Sequence, residues 1–434
     1  MRKRILALLL AVLALFSLAG CASRAEEPAP EQGVDLNVVT SYGRGDGNRK
    51  SFEAAVASFE AKTGHHVIDG SSISSEEWKN KVLTDFMTGS EPDVLFYFTD
   101  VDAEPFINAG RVVSIEEIRE EYPDYATNMK QAMMAVASDG KHYAVPSTGY
   151  WEDLFVNRRV LAACGLSLPG PDYSWEQFLA DCEVIRQAGY TPIACSLFEI
   201  PHYWFEFAVL NNGTLAGHLD VPHLDGAGRL VRDAAAESWI GGIEDIKSLY
   251  DAGYLPEDTL TATDAETVAL FAEGEAAFLI DGSWKVGYLT EYYPEHLEDF
   301  VVSFVPGKGE RKATEAIGGI SMGYFITRKA WDEPRKREAA VSFVFHMTSE
   351  EVLSSFITTE VTALIDGASP TGLNAIQRSA AETNAQITGI VGAVQDCISG
   401  EAKAELFTDI QRCVTGQMSA EEAVEAAIRL NEEP

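Results

Sequence analysis

Three observations predict an α/β fold in which a parallel sheet is covered by helices. First, the turn Gly89-Ser90-Glu91-Pro92 is followed by Val94–Phe98 (VLFYF), a branched and aromatic run too short for a helix. It reads as a strand buried on both faces, which implies a parallel sheet between helical layers. Second, two strand–helix pairs precede it. Val34–Ser41 alternates and then runs apolar, and Lys50–Lys62 repeats apolar residues at helical spacing until Gly64. Val67 and Ile68 open another strand, and Trp78, Val82, Leu83 and Phe86 form a helical stripe ending at Gly89. The order is βαβαβ, half of a doubly wound sheet. Third, 434 residues with a 46% hydrophobic fraction suffice for two or three domains, each with its own core. Ligands of such sheets bind beyond the carboxyl ends of the strands, where Phe98, Thr99 and Asp100 emerge.

Charge and cysteine content exclude several classes. The formal charge is −34, and three units more negative without Arg2, Lys3 and Arg4, so nucleic acid and other polyanions are repelled. The acids are scattered, as on a solvated surface. The six cysteines, Cys21, Cys164, Cys182, Cys195, Cys397 and Cys413, contain no Cys-x-x-Cys pair. Setting Cys21 aside leaves an odd number, which rules out a full disulfide framework; buried thiols are expected, with one Cys397–Cys413 bridge left open. No His-Glu-x-x-His or similar frame occurs, and no metal or cofactor is expected.

In chain order, Arg2-Lys3-Arg4 and the apolar run Ile5–Leu18 form an export signal, shorter than the roughly 20 residues a spanning helix needs. Its end, Leu18-Ala19-Gly20-Cys21, resembles a bacterial lipobox. That implies removal of residues 1–20 and a diacylglyceryl group on Cys21, an extracytoplasmic location and a lipid anchor. Residues 21–33 (CASRAEEPAPEQG) read as a disordered tether. The loop Tyr42-Gly43-Arg44-Gly45-Asp46-Gly47-Asn48 offers backbone N–H groups at a sheet end, without the spacing of a dinucleotide fingerprint.

Ser74 with Glu77 makes a capping box for the helix carrying Trp78. His142–Pro146 reads as a strand and Ser147–Glu152 as a turn, after which the strand Leu154–Asn157 crosses to a second sheet. Ser174 with Gln177 caps a helix to Gly189, Phe198–Phe207 crowds aromatics beside a proline, and Thr263 with Glu266 caps another helix. Ala276–Ile280 is a strand whose end carries Asp281 and Trp284. Phe300–Val305, Ile317–Gly323 and Phe325–Thr327 are β-rich and are expected to return to the first lobe. Thr348 with Glu351 and Ser419 with Glu422 cap helices of the tail.

One ordered set of motifs is more specific. It comprises Ser58–Val67 (SFEAKTGHHV), Gly89–Val94 (GSEPDV), Asn108-Ala109-Gly110, Asp139–Pro146 (DGKHYAVP) and Leu154–Asn157 (LFVN). It continues with Cys164-Gly165-Leu166, Ser174–Leu179 (SWEQFL), Ala188–Ile193 (AGYTPI), Phe271–Ala277 (FAEGEAA) and Asp281–Trp284 (DGSW). Over about residues 36–349 this order resembles the extracellular sugar-binding proteins of bacterial ABC importers, the maltose-binding-like family. The resemblance implies an α/β, two-lobed periplasmic-binding-protein-like fold with hinge crossovers and a helical C-terminal tail. Lobe one would take residues 34–148 and 287–346, and lobe two residues 149–286 and 347–434. It further implies a monomeric binding protein rather than an enzyme, which delivers a carbohydrate to ABC permease subunits or presents it to a membrane sensor.

A sugar ring has C–H faces and a hydroxyl rim, so aromatic plates with carboxylate acceptors suit it. Candidate plates are Tyr42, Tyr97, Trp151, Tyr203, Trp204 and Trp284, and candidate acceptors are Asp100, Glu152, Glu199 and Asp281; Gly319 and Ser321 would allow close backbone approach. The resemblance places Asp100 and Trp284 at the cleft. Gly319-Ile320-Ser321-Met322-Gly323 matches a serine-hydrolase elbow, but Tyr324–Thr327 reads as strand where an elbow needs a helix, and the only histidine downstream is His346. A secreted glycoside hydrolase built on Asp100, Glu152 and Asp281 is the alternative from the enzyme class. Candidate cleft segments hold Asp46, Asp100, Asp102, Glu104, Glu152, Asp153, Glu199, Glu206 and Asp281 against Arg44 and Lys285. A neutral sugar is therefore favoured over an acidic one, with a cationic ligand such as a polyamine as the alternative within the binding class.

Overall fold

The computed structural model describes residues 33–356, 363–364 and 372–432. The signal at residues 1–20, the Cys21 lipidation site and nearly all of the tether lie outside the described residues. Eleven strands are formed among them: β1 Asp35–Val39, β2 His66–Asp69, β3 Val94–Phe98, β4 Val145–Pro146, β5 Tyr150–Asn157, β6 Thr191–Ile193, β7 Ala276–Gly282, β8 Phe300–Ser303, β9 Glu315–Gly319, β10 Met322–Ile326 and β11 Gly389–Val391.

The first sheet runs β2-β1-β3-β10-β4. The βαβαβ half is as predicted, with β1 parallel to both β2 and β3. Strand β3 faces two cores: Val94 and Phe96 pack with Leu36, Phe52 and Tyr324, while Leu95 and Tyr97 pack with Trp78 and Phe106. Helix Arg49–Thr63 ends at Gly64 and helix Glu76–Thr88 at Gly89, both in the left-handed region that favours glycine. Asp93, just before β3, accepts hydrogen bonds from Asn37 N (2.8 Å) and Nδ2 (3.1 Å) and pairs with Lys336 (2.7 Å), tying β1 to helix Pro334–Met347. The sheet is mixed rather than purely parallel, because β10 enters antiparallel between β3 and β4.

The second sheet runs β11-β9-β5-β7-β6, with β8 also on β5. Two readings of the sequence are corrected here. The turn expected over Ser147–Glu152 stops at Gly149, and β5 already starts at Tyr150. That length lets one edge of β5 take β9 at Tyr150–Glu152 and β8 at Leu154–Asn157. Phe300–Val305 and Ile317–Gly319 therefore join the second sheet instead of returning to the first, and only β10 returns. Conversely, Val352, Leu353, Phe356, Ala363 and Leu364, expected with the second lobe, pack in the first core. The backbone crosses between sheets at 147–149 and again at 320–321.

Helix starts obey the predicted chemistry, with two one-residue shifts. Ser75 rather than Ser74 accepts from Trp78 N, and Ser349 rather than Thr348 accepts from Val352 N. Thr263 and Glu266 form the full reciprocal box. Thr263→Ala is expected to lower stability by about 1 kcal/mol, read as a lower urea midpoint at unchanged slope. Cys164, Cys182, Cys195, Cys397 and Cys413 are free. The Cys397–Cys413 bridge that the sequence left open is not made: Cys413 is buried in the second core, and Cys397 sits in the turn Val394–Cys397.

Candidate ligand site at the lobe junction

From the first lobe, the carboxyl end of β3 delivers Thr99 and Asp100 to the crossover, where Thr99 N and Oγ1 donate to the Ser321 carbonyl at 2.8 and 3.3 Å. Asp100 accepts from Asp102 N (2.9 Å), and Lys79 pairs with Asp102 at 2.8 Å. The glycine loop brings Asp46 and Gly47 against helix Trp284–Tyr292 of the second lobe. A Cβ on Gly47 would lie 2.8 Å from Tyr288 N and 2.9 Å from the Trp284 carbonyl. Lys50 reaches Glu291 at 2.9 Å beside this contact. The lobes are closed on each other.

From the second lobe, antiparallel β5 and β7 set Glu152 opposite Gly282 and Asp153 opposite Asp281. Strand alternation puts Tyr150 and Glu152 on the face of Leu154 and Val156, the face covered by helix His202–Asn212. That helix supplies Tyr203 and Glu206. The Trp284 ring lies over Gly282, where any Cβ would come within 2.2 Å of it. It stacks on Tyr150 (centroids 6.2 Å apart) and stands 6.3 Å from Tyr203. Lys285 pairs with Asp281 and Asp264, both at 3.0 Å. Lys403, on helix Gly400–Val414, pairs with Asp396 at 3.0 Å and lies 4.0 Å from Asp102 of the other lobe.

Burial controls the electrostatics. It pushes Asp46 up to about 6, and it raises Asp100 to about 7 with help from Asp396 and Asp102. Glu152 rises to about 8 through burial, partly offset by its hydrogen bond with Glu206 and reinforced by Asp281, Asp396 and Asp153. Glu206 is held well above the carboxylate range by burial and by Glu152. Asp281 rises to about 6 by burial, against the pull of Lys285. Burial pushes His202 down to about 3, with Lys403 and Lys79 adding to it.

These junction carboxyls thus bind more protons in the folded, ligand-free chain than in the unfolded chain between pH 4 and 8, and they outnumber the depressed His202, which acts in the opposite sense. The stability these groups contribute is present below their ordinary values near 4 and lost as pH rises through about 6 to 8. The ligand-free melting temperature is expected to fall from pH 5 to pH 8; a flat or rising profile would contradict this assignment.

Asp100, Glu152, Tyr203, Asp281 and Trp284 are brought together at the junction, and Gly319 and Ser321 lie at its crossover. Other candidates are not. Tyr42 packs among Phe52, Phe96 and Phe356, and Tyr97 between Trp78 and Phe106. Trp151 stacks on Phe155 and Trp204 on Phe178. Glu199 is exposed and accepts from Asp264 N at 2.7 Å, at the start of helix Asp264–Ala272. Tyr150, Gln395, Asp396 and Lys403 were not singled out from the sequence. The Tyr150-x-Glu152 spacing signals Tyr150 once β5 is extended, whereas the tail residues carry no local signal.

Ser321 lies between two strands, not at a strand-to-helix elbow. Ser321→Ala is expected to leave ligand affinity within about twofold by calorimetry, since among the described residues it is the Ser321 carbonyl that is engaged. Among the described residues no group of three or more His, Cys, Asp or Glu side chains is arranged to hold a metal ion, and no helix is long and apolar enough to cross a membrane.

The fold has solved relatives. A chitin oligosaccharide binding protein is 19% identical, with a TM-score of 0.76 over 92% of this chain and 98% of that one. RafE in complex with raffinose is 18% identical, with a TM-score of 0.73 over 92% and 100%. The maltose/maltodextrin-binding domain MalE from Bdellovibrio bacteriovorus, bound to maltotriose, is 18% identical, with a TM-score of 0.69 over 92% and 99%. No curated protein sequence matches significantly. The sequence model of the bacterial extracellular solute-binding proteins matches residues 54–380, three quarters of the chain. The chain therefore belongs to the bacterial extracellular solute-binding protein family.

Proposed function

We propose that this protein captures a carbohydrate between its lobes and hands it to the permease subunits of an ABC importer, held at the membrane by lipid on Cys21. The observation that carries the reading is the meeting of Tyr150, Trp284 and Tyr203 with Glu152 and Asp281, opposite Asp46 and Asp100 of the other lobe. Ring faces accept the C–H faces of a sugar, and the carboxyl groups accept its hydroxyls. Closure acts as a switch because contacts from both lobes exist together only in the shut form. The crossovers at 147–149 and 320–321 are the hinge of this motion. The solved relatives named for chitin oligosaccharide, raffinose and maltotriose complexes support a saccharide over other solutes.

The test is a thermal-shift screen of the chain from Gly33 onward, which carries every residue of the described cores, against mono- and oligosaccharides. A ligand that binds only the folded state adds about 2.7 kcal/mol of stability at a hundredfold excess over its dissociation constant. A saccharide that raises the melting point and is recovered intact is the expected result. A saccharide recovered cleaved would make the chain an enzyme.

A further inference from the structure

We propose that the captured solute carries a primary amine, as an amino sugar does, and that its ammonium group seats on Glu152, Glu206 and Gln395 beneath the rings of Tyr150 and Trp284. The inference rests on the proposed saccharide function and names its ligand class.

Four acceptor atoms carry it. Both carboxylate oxygens of Glu206, Oε2 of Glu152 and Oε1 of Gln395 are buried without a hydrogen-bond donor, in residues exposed by 0%, 3% and 5% respectively. The Gln395 side chain is directed at Glu206, and Glu206 at Glu152. A proton held between the two carboxyls serves only one of these contacts, and each acceptor left over costs about 1–3 kcal/mol. The nearby lysines do not supply it: Lys285 is engaged by Asp281 and Asp264, and Lys403 by Asp396. An ammonium group brings three N–H donors and a positive charge. The stacked faces of Tyr150 and Trp284 add the cation–π surface that suits it.

The charged and titratable groups around the pair are Tyr150 and Asp153 on β5, Asp281 on β7, Tyr203 on the covering helix and Asp396 in the turn Val394–Cys397. Lys285 pairs with Asp281 at 3.0 Å. Without ligand, the Glu152–Glu206 pair holds a proton at neutral pH. An incoming ammonium replaces it, the O–H bond breaks, and the proton leaves to solvent.

The experiment is isothermal calorimetry at pH 7 in two buffers of different ionisation enthalpy. It uses the chain from Gly33 with three probes: a glucosamine oligomer, its N-acetylated counterpart and spermidine. The expected result is that the glucosamine oligomer binds at least about tenfold more tightly than the acetylated one and releases about one proton per site. Glu206→Gln should abolish both the preference for the glucosamine oligomer and the proton release. Glu152→Gln is the second variant, and the proton release of the unmodified chain needs neither. Equal or tighter binding of the acetylated oligomer overturns the amine site and leaves saccharide capture standing. Spermidine binding with neither oligomer bound overturns the saccharide reading and keeps an amine site. Failure of both amines to bind overturns the inference.

Discussion

Lys285→Met is expected to lower stability by about 3–5 kcal/mol at pH 8, the cost of leaving a buried carboxylate without its partner. Asp281 is fully buried and Lys285 nearly so, and the lysine also holds Asp264. Burial opposes the lysine's charge, yet the two carboxylates keep Lys285 protonated well above its ordinary range. The effect depends on pH in a stated direction. Asp281 already titrates at about 6, and losing the cation pushes it higher, so at pH 5 the carboxyl is protonated and the deficit shrinks. Urea unfolding at pH 5 and pH 8 reads the difference. Lys285→Met with Asp281→Asn should recover most of the loss, and a double variant as unstable as the single one would contradict the pairing.

Gly47→Val addresses closure rather than folding. Gly47 meets helix Trp284–Tyr292 backbone to backbone, and a Cβ on Gly287 would in turn lie 3.2 Å from Gly47 Cα. Its φ is not positive, so valine strains little when the lobes are apart. Valine therefore penalises only the shut form, by about 1–3 kcal/mol of overpacking. Ligand affinity should fall about tenfold to a hundredfold, with the ligand-free melting temperature nearly unchanged. An unaltered affinity would mean that the lobes do not meet here when ligand is bound.

Much of this was legible in the sequence because it is local. VLFYF reads as a doubly buried strand, and its two faces do meet separate cores. Tyr97, expected as a sugar plate, fails for the same reason, since alternation turns it toward Trp78 and Phe106. The cap shifts arise where two hydroxyl residues adjoin, Ser74-Ser75 and Thr348-Ser349, and only the backbone path selects between them. Strand β5 was read short because Ser147-Thr148-Gly149 signals a turn that ends sooner than the polar stretch suggests. With its start misplaced, the edge that receives β8 and β9 could not be seen. Asp100, Asp281 and Trp284 were found because they lie at or just past strand ends. Gln395, Asp396 and Lys403 come from the tail across long sequence separations, and Glu206 sits on a helix where its spacing says nothing of Glu152.

At pH 8 Asp100, which titrates at about 7, is ionised and repelled by Asp396 across the junction, so the empty lobes should stand apart until a ligand bridges them. The deciding measurement is small-angle X-ray scattering of the chain from Gly33 at pH 8, with and without the saccharide that most raises its melting point. Capture by lobe closure predicts a smaller radius of gyration with saccharide, a profile matching the closed arrangement of the two lobes, and intact sugar afterwards. Identical scattering in both states with the sugar bound, or recovery of cleaved sugar, would contradict it.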